Sequence, residues 1–291
     1  MSEAQRLFVK VTRESLPQIK DKYPYLYLER GRLEIDDSSV KWIDCDANVV
    51  PIPIATLNTL LLGPGTTVTH EAIKIATSAN CAVCWVGEDS LLFYAAGFVP
   101  TADTRNLRRQ IEVASNPKKS IETARNMFRR RFPDADLAGK TLKEMMGMEG
   151  HRVRSIYQVK AQEYKVGWKG RSFKPGSWEL SDVTNRMLTS ANAALYGILC
   201  SAIHSMGYSP HIGFIHSGSP LPFVYDLADL YKEHLCIDLA FFLTREMAGR
   251  YDRNKLSTEF RKRVMEIDLL AQLSTDIPDI LRMKSANSSG K

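Results

Sequence analysis

Over the first hundred positions apolar residues come in short runs, not at helical spacing. Tyr25-Leu26-Tyr27-Leu28, Val40-Lys41-Trp42-Ile43, Val49-Val50-Pro51-Ile52, Ala82-Val83-Cys84-Trp85-Val86 and Leu91-Leu92-Phe93-Tyr94 read as strands. Gly31, Asp36-Asp37 and Asp46-Ala47-Asn48 read as the turns between them. Pro51 and Pro53 suit a sheet edge or strand end, because proline has no N–H for a ladder. Only residues 70–79, with Ala72, Ile73 and Ala76, show a short helical pattern in this block.

Beyond residue 100 the spacing becomes helical. Thr104 is placed to cap a helix to about residue 115, and Asn116-Pro117 to start a second. A third is expected from about Glu149 to Tyr164, along Val153, Ile156, Tyr157 and Tyr164. The most regular segment is 181–205, where Met187, Leu188, Ala191, Leu195, Ile198, Leu199 and Ala202 recur at helical spacing behind a Ser181 or Asp182 cap. Further helices are expected near 224–234, 236–249 and 257–273. The pattern predicts an α+β chain: a β-rich, sandwich-like domain over 1–100, a larger all-α domain over 101–278, and a flexible tail over 279–291.

Charge adds a second feature. The chain carries +6 overall, but residues 101–175 hold 18 basic and 8 acidic groups. A basic excess confined to one segment fits either a polyanion-binding surface or a solvated helical face. No apolar run reaches the roughly 18 residues of a membrane span. The N-terminus lacks a secretory pattern, and five irregularly spaced cysteines fit reduced thiols in a cytoplasm.

Most short motifs fail. Cys81-x-x-Cys84 has no second ligand pair, and in a strand two such thiols face opposite ways. His70-Glu71 lacks the second histidine of a zinc protease helix. Gly139-Lys140-Thr141 lacks the first glycine of a phosphate loop, and Ser217 and Ser219 sit on no nucleophile elbow.

One constellation survives. His216 lies on a Gly/Pro/Ser loop directly before an apolar helix carrying Asp226 and Asp229, three apart and on one face. Two carboxylates with an imidazole entering from the helix N-terminal side can hold a divalent metal. The bland alternative is that Asp226 caps a turn and His216 bonds locally. Glu149 is a candidate further ligand, although an acid at a helix start is also favoured by the helix dipole.

The runs Gly147-Met148-Glu149-Gly150-His151-Arg152-Val153-Arg154, Asn185-Arg186-Met187-Leu188 with Ala191 to Gly197, and Gly213 to Asp229 together resemble the CRISPR-associated integrase family, Cas-one, of type I-E. The resemblance covers roughly residues 20 to 270. It implies Glu149, His216 and Asp229 as ligands of Mg²⁺ or Mn²⁺, with Asp226 as the accompanying acid. It also implies a homodimer, a small ferredoxin-like partner protein, and insertion of short protospacer DNA into a CRISPR repeat array. Arg108, Arg109, Arg125, Arg129, Arg130, Arg152 and Lys232 are expected to track DNA. Phe173, Trp178 and Tyr196 align with an aromatic pocket for the DNA end, although core packing serves Tyr196 equally well. Arg30 and Ser219 depart from the family, standing where a wedge tyrosine and a DNA-contacting lysine belong. A metal-dependent nuclease of branched repair intermediates would use the same residues, and a non-catalytic DNA scaffold would need none of the acids.

Overall fold

The computed structural model describes residues 17–36, 39–87, 93–97, 104–172 and 181–281. Strands occupy the first part and helices the second. β1 (Leu26–Leu28), β5 (Thr59–Leu62), β7 (Ala82–Val86) and β8 (Phe93–Gly97) form one sheet in the order β1-β5-β7-β8. β4 (Val49–Pro51), β3 (Ser39–Asp44), β2 (Gly31–Asp36) and β6 (Thr66–Val68) form the other, in the order β4-β3-β2-β6. β4 is an edge strand, where Pro51 costs no ladder bond.

Leu33, Val40, Trp42, Leu60, Leu62 and Val83 share one core with Ala72 and Ala76 of α1 (His70–Ser78). Leu61, Cys84 and Val86 point the other way, into the helical core. Thr59–Leu62 is therefore buried on both faces, which explains its unbroken apolar run. Cys81 and Cys84 fall in different cores, and both thiols are free.

Against that first sheet lies α5 (Val183–Ser205), capped by the Asp182 carboxylate accepting from Asn185 N–H. It is buried nearly all round, as a central helix must be. Asn58 donates to Ser201 Oγ, which in turn donates to the Asn58 carbonyl, both at 3.2 Å in the buried seam. On α5 pack α6 (Pro222–Lys232), α7 (Leu239–Glu246) and α8 (Arg253–Glu266), and outside these α2 (Arg105–Ala114), α3 (Pro117–Arg131), α4 (Leu142–Tyr164) and α9 (Leu269–Leu281) pack on them and on one another. Among the described residues no helix is long and apolar enough to cross a membrane.

Several expected boundaries move. β2, β5 and β6 are strands where turns or nothing were expected, and Leu91 and Leu92 lie outside the described residues. Thr104 precedes α2 but makes no side-chain cap. α4 begins at Leu142, not near Glu149, because Thr141 and Glu144 form a reciprocal capping box. The helix expected over 236–249 is a π-helical turn, Glu233–Asp238, running into α7. The helix expected over 257–273 is two, broken where Asp268 adopts φ 47°. α9 continues past the expected tail boundary at 278, with Pro278 inside it. Burial of Ile277, Ile280 and Leu281 outweighs the roughly 3 kcal/mol that an internal proline costs.

Candidate active site at the junction of α3, α4 and α6

The loop before α6 is organised by one carboxylate. Asp226 lies on the first turns of α6 with its side chain fully buried. Its Oδ2 accepts from Phe214 N–H at 2.6 Å and Ile215 N–H at 3.2 Å. Its Oδ1 accepts from His216 N–H at 2.9 Å and pairs with His216 Nδ1 at 2.8 Å. Three backbone donors and a ring donor thus compensate a charge that would otherwise be very costly to bury. Asp226 caps no turn of its own helix; it gathers the preceding loop.

The chemistry of His216 follows. A carboxylate can only accept, so Nδ1 carries the proton, and in the neutral ring the Nε2 lone pair is left for a ligand. Nε2 lies 3.5 Å from Asp229 Oδ2, one turn along the same helix face. Tyr225 meets the ring edge-on, with centroids 6.1 Å apart.

Gly213 makes this approach feasible. A Cβ there would sit 2.7 Å from Pro222 Cβ and 2.9 Å from Asp226 Oδ2. Gly213→Ala is therefore expected to cost about 1–3 kcal/mol, read as a lower urea midpoint at unchanged m-value. An unaltered midpoint would show that the loop has slack.

Glu149 comes from α4, two turns inside the helix. The dipole reading thus fails, since that field acts on the first turn. Glu149 accepts instead from Arg131, the last residue of α3, whose Nη1 also lies 3.7 Å from Asp229 Oδ2. Burial lowers the Arg131 guanidinium from its ordinary value, opposed by Asp229 and Glu233, and it stays cationic. The Phe132 ring lies under two guanidiniums, Arg131 at 5.0 Å and Arg152 at 4.9 Å.

Lys232 completes the cluster, 2.9 Å from Asp229 Oδ1 and 5.0 Å above the Tyr196 ring. Burial alone would lower its ammonium, but Asp229 and Tyr196 raise it above the usual lysine value. Tyr196 is half-buried and edge-on to Tyr225 at 5.0 Å, so it faces the site from α5.

The structure therefore gathers His216, Asp226, Asp229, Glu149, Lys232 and Tyr196. Among the described residues no three His, Cys, Asp or Glu side chains form a ready metal cluster. Glu149 joins the pair His216 and Asp229 through Arg131. The donor set, two carboxylates and one imidazole nitrogen, fits a divalent ion that accepts mixed oxygen and nitrogen ligands.

The expected DNA-tracking residues divide. Arg108 is exposed, and Arg152 borders the site. Arg125 is 16% exposed and donates to the carbonyls of Leu137 and Lys140, both at 3.2 Å, so it fastens the loop before α4. Arg129 pairs with Glu122, Arg109 with Glu112, and Arg130 with Asp276 on α9. Phe173 and Trp178 lie outside the described residues.

Sequence reasoning passed over Arg131, third in Arg129-Arg130-Arg131. The signal was phase: Ala124, Met127 and Phe128 are the buried face of α3, and position 131 continues it.

A family model described as CRISPR associated protein Cas1 matches residues 129–266, a span holding Glu149, His216, Asp226 and Asp229. The CRISPR-associated endonuclease Cas1 2 of Chlorobaculum tepidum is 65% identical over 283 residues, covering 97% of this chain and 96% of that protein. The crystal structure of a TtCas1-DNA complex matches with TM-score 0.67 at 36% identity, over 92% of this chain and 99% of that one. A CAS1 protein from Thermotoga maritima matches with TM-score 0.74 over 91% of this chain and 99% of that one, and its 14% identity speaks for the fold alone.

Proposed function

This chain belongs to the Cas1 family of CRISPR-associated proteins, and on that premise we propose that it is a divalent-metal-dependent DNA integrase and endonuclease of CRISPR adaptation. In its reaction the 3′-OH of short incoming DNA attacks a phosphodiester of the repeat array, a new P–O bond forming as the repeat strand's own P–O3′ bond breaks and its O3′ departs as a 3′-OH. The observation that carries the reading is the convergence of His216 Nε2, Asp229 and Glu149 at the junction of α3, α4 and α6, beside Arg131, Arg152 and Lys232.

Glu149, His216 and Asp229 would hold Mg²⁺ or Mn²⁺. A divalent ion there supplies stabilisation of charge on the phosphate oxygens and a lower pKa for the attacking hydroxyl. The chain does the rest. Asp226 fixes the His216 tautomer and aims Nε2. Lys232 and Arg152 offer donors to a phosphate, Arg152 in a bidentate fork. Tyr196, held under Lys232, presents an aromatic face on which a base can stack, an interaction of about 1–3 kcal/mol.

Other parts of the reading have support of their own. A DNA-bound relative at 36% identity over 92% of the chain supports DNA as the partner. A homodimer is supported by the β4 edge, where Val49 and Val50 are 54% and 47% exposed in an apolar edge strand. A small ferredoxin-like partner protein and the division at residue 100 complete the proposal.

The test is strand transfer into a repeat-bearing supercoiled plasmid, with Mn²⁺ and donor duplexes ending in 3′-OH or 3′-deoxy sugar. Joined products from the 3′-OH donor alone are expected. Cutting indifferent to the donor end would make the protein a hydrolytic nuclease of the same site.

A further inference from the structure

Arg131 is the unusual member of the site. An arginine on the buried face of α3, with a side chain 10% exposed, needs partners, and it has two carboxylates. Both are expected metal ligands. Its Nη1 serves Glu149 and Asp229 together, and these acids sit on different helices, so one guanidinium joins α3, α4 and α6. The Phe132 ring at 5.0 Å backs it. Asp229 is engaged on both oxygens, Oδ1 by Lys232 at 2.9 Å and Oδ2 by Arg131 at 3.7 Å, and His216 Nε2 lies 3.5 Å from Oδ2.

The charges are already balanced. Glu149 and Asp229 face Arg131 and Lys232, while Asp226 is spent on His216 and three backbone donors. A divalent cation entering this point adds two positive charges within a few ångströms of a guanidinium that cannot lose its proton. Ion and guanidinium compete for the same carboxylate oxygens.

We propose that Arg131 is a resident counter-ion of the metal site, a positioning residue that holds Glu149 and Asp229 until a divalent cation displaces it. The inference rests on the metal-site reading above. It gives the site a built-in ceiling on metal affinity in the absence of DNA. A DNA phosphate, which guanidinium binds bidentately, gives the displaced group a new partner. Metal and DNA then bind with positive coupling.

A purely structural cross-link predicts the opposite sign. If Arg131 only kept the acids in place, its loss would let them drift and would weaken metal binding. As a competitor, its loss strengthens binding. An opposite charge within about 4–6 Å biases a carboxylate by 1–3 log units, so relief by about tenfold in Mn²⁺ affinity is the expected scale.

The experiment measures Mn²⁺ binding to the full chain by electron paramagnetic resonance of the free ion, with melting curves on each sample. Wild type, Arg131→Gln, Arg131→Lys and Glu149→Gln are compared, with and without a short DNA duplex. Arg131→Gln is expected to bind Mn²⁺ about tenfold tighter than wild type, and Arg131→Lys by a smaller factor, because an ammonium lacks the planar fork. DNA should tighten Mn²⁺ binding by wild type more than by Arg131→Gln. Equal or weaker binding by a folded Arg131→Gln overturns the inference. If that variant melts below the assay temperature, Arg131→Lys decides by the same criterion. Mn²⁺ binding indifferent to Glu149→Gln overturns the metal-site reading and this inference with it. Glu149-dependent binding that no Arg131 variant tightens overturns this inference alone.

Discussion

Asp226→Asn is expected to lower both stability and activity, more than its one-atom change suggests. The carboxylate accepts on both oxygens: Phe214 and Ile215 N–H on one, His216 N–H and Nδ1 on the other. An asparagine has one acceptor oxygen, and its amide must face one of these two donor pairs. Turned toward Phe214 and Ile215, it opposes two buried N–H groups. Turned toward His216, it opposes the backbone N–H and obliges Nδ1 to accept, which moves the ring proton to Nε2. Each buried donor left unpaired costs about 1–3 kcal/mol, so unfolding free energy should fall by about 3 kcal/mol. In the first orientation the loop that carries His216 is loosened, and in the second the ring loses its acceptor directly. Loss of such support typically lowers metal affinity or activity by about 10–100-fold. Urea unfolding and strand transfer on the same preparation check both halves. A variant as stable and active as wild type would show that Asp226 does not organise this loop.

His216→Ala is expected to separate activity from fold. The ring is 28% exposed, and the His216 backbone N–H keeps its bond to Asp226 whatever the side chain. Stability should therefore change little. Activity should fall by roughly a thousandfold, the scale seen when a group acting directly on the reacting centre is removed. DNA affinity should persist, because phosphate contacts by arginine and lysine carry most of it.

Much of this was legible in the sequence, for identifiable reasons. Asp182 and Asn116-Pro117 announce their helices because a cap and a first-turn proline act locally. His216, Asp226 and Asp229 could be brought together from spacing, because a helix fixes which side chains share a face. The α+β division was visible as a change of period near residue 100. What was not legible depended on tertiary partners. Thr59–Leu62 shows no alternation because sheets and helices cover both its faces. The break at Asp268 places a non-glycine residue at positive φ, which no local pattern announces. Glu149 was assigned to a first turn because the capping box eight residues upstream, at Thr141 and Glu144, went unread. The dipole alternative for Glu149 rested on that boundary, and two turns inside α4 it no longer applies. Arg125 and Arg130 looked like DNA contacts by charge alone, yet the fold uses one to hold a loop and the other to tie α3 to α9. Charge counts do not reveal which side of a helix an arginine occupies.

The most direct test of the central claim is strand transfer by His216→Ala beside wild type, with DNA binding measured in the same samples. Donor duplexes with 3′-OH and 3′-deoxy ends are supplied with Mn²⁺. The site described here predicts that wild type joins only the 3′-OH donor, and that the variant binds DNA normally yet joins neither. Joined product from His216→Ala at the wild-type rate would contradict it and place the chemistry elsewhere in the chain.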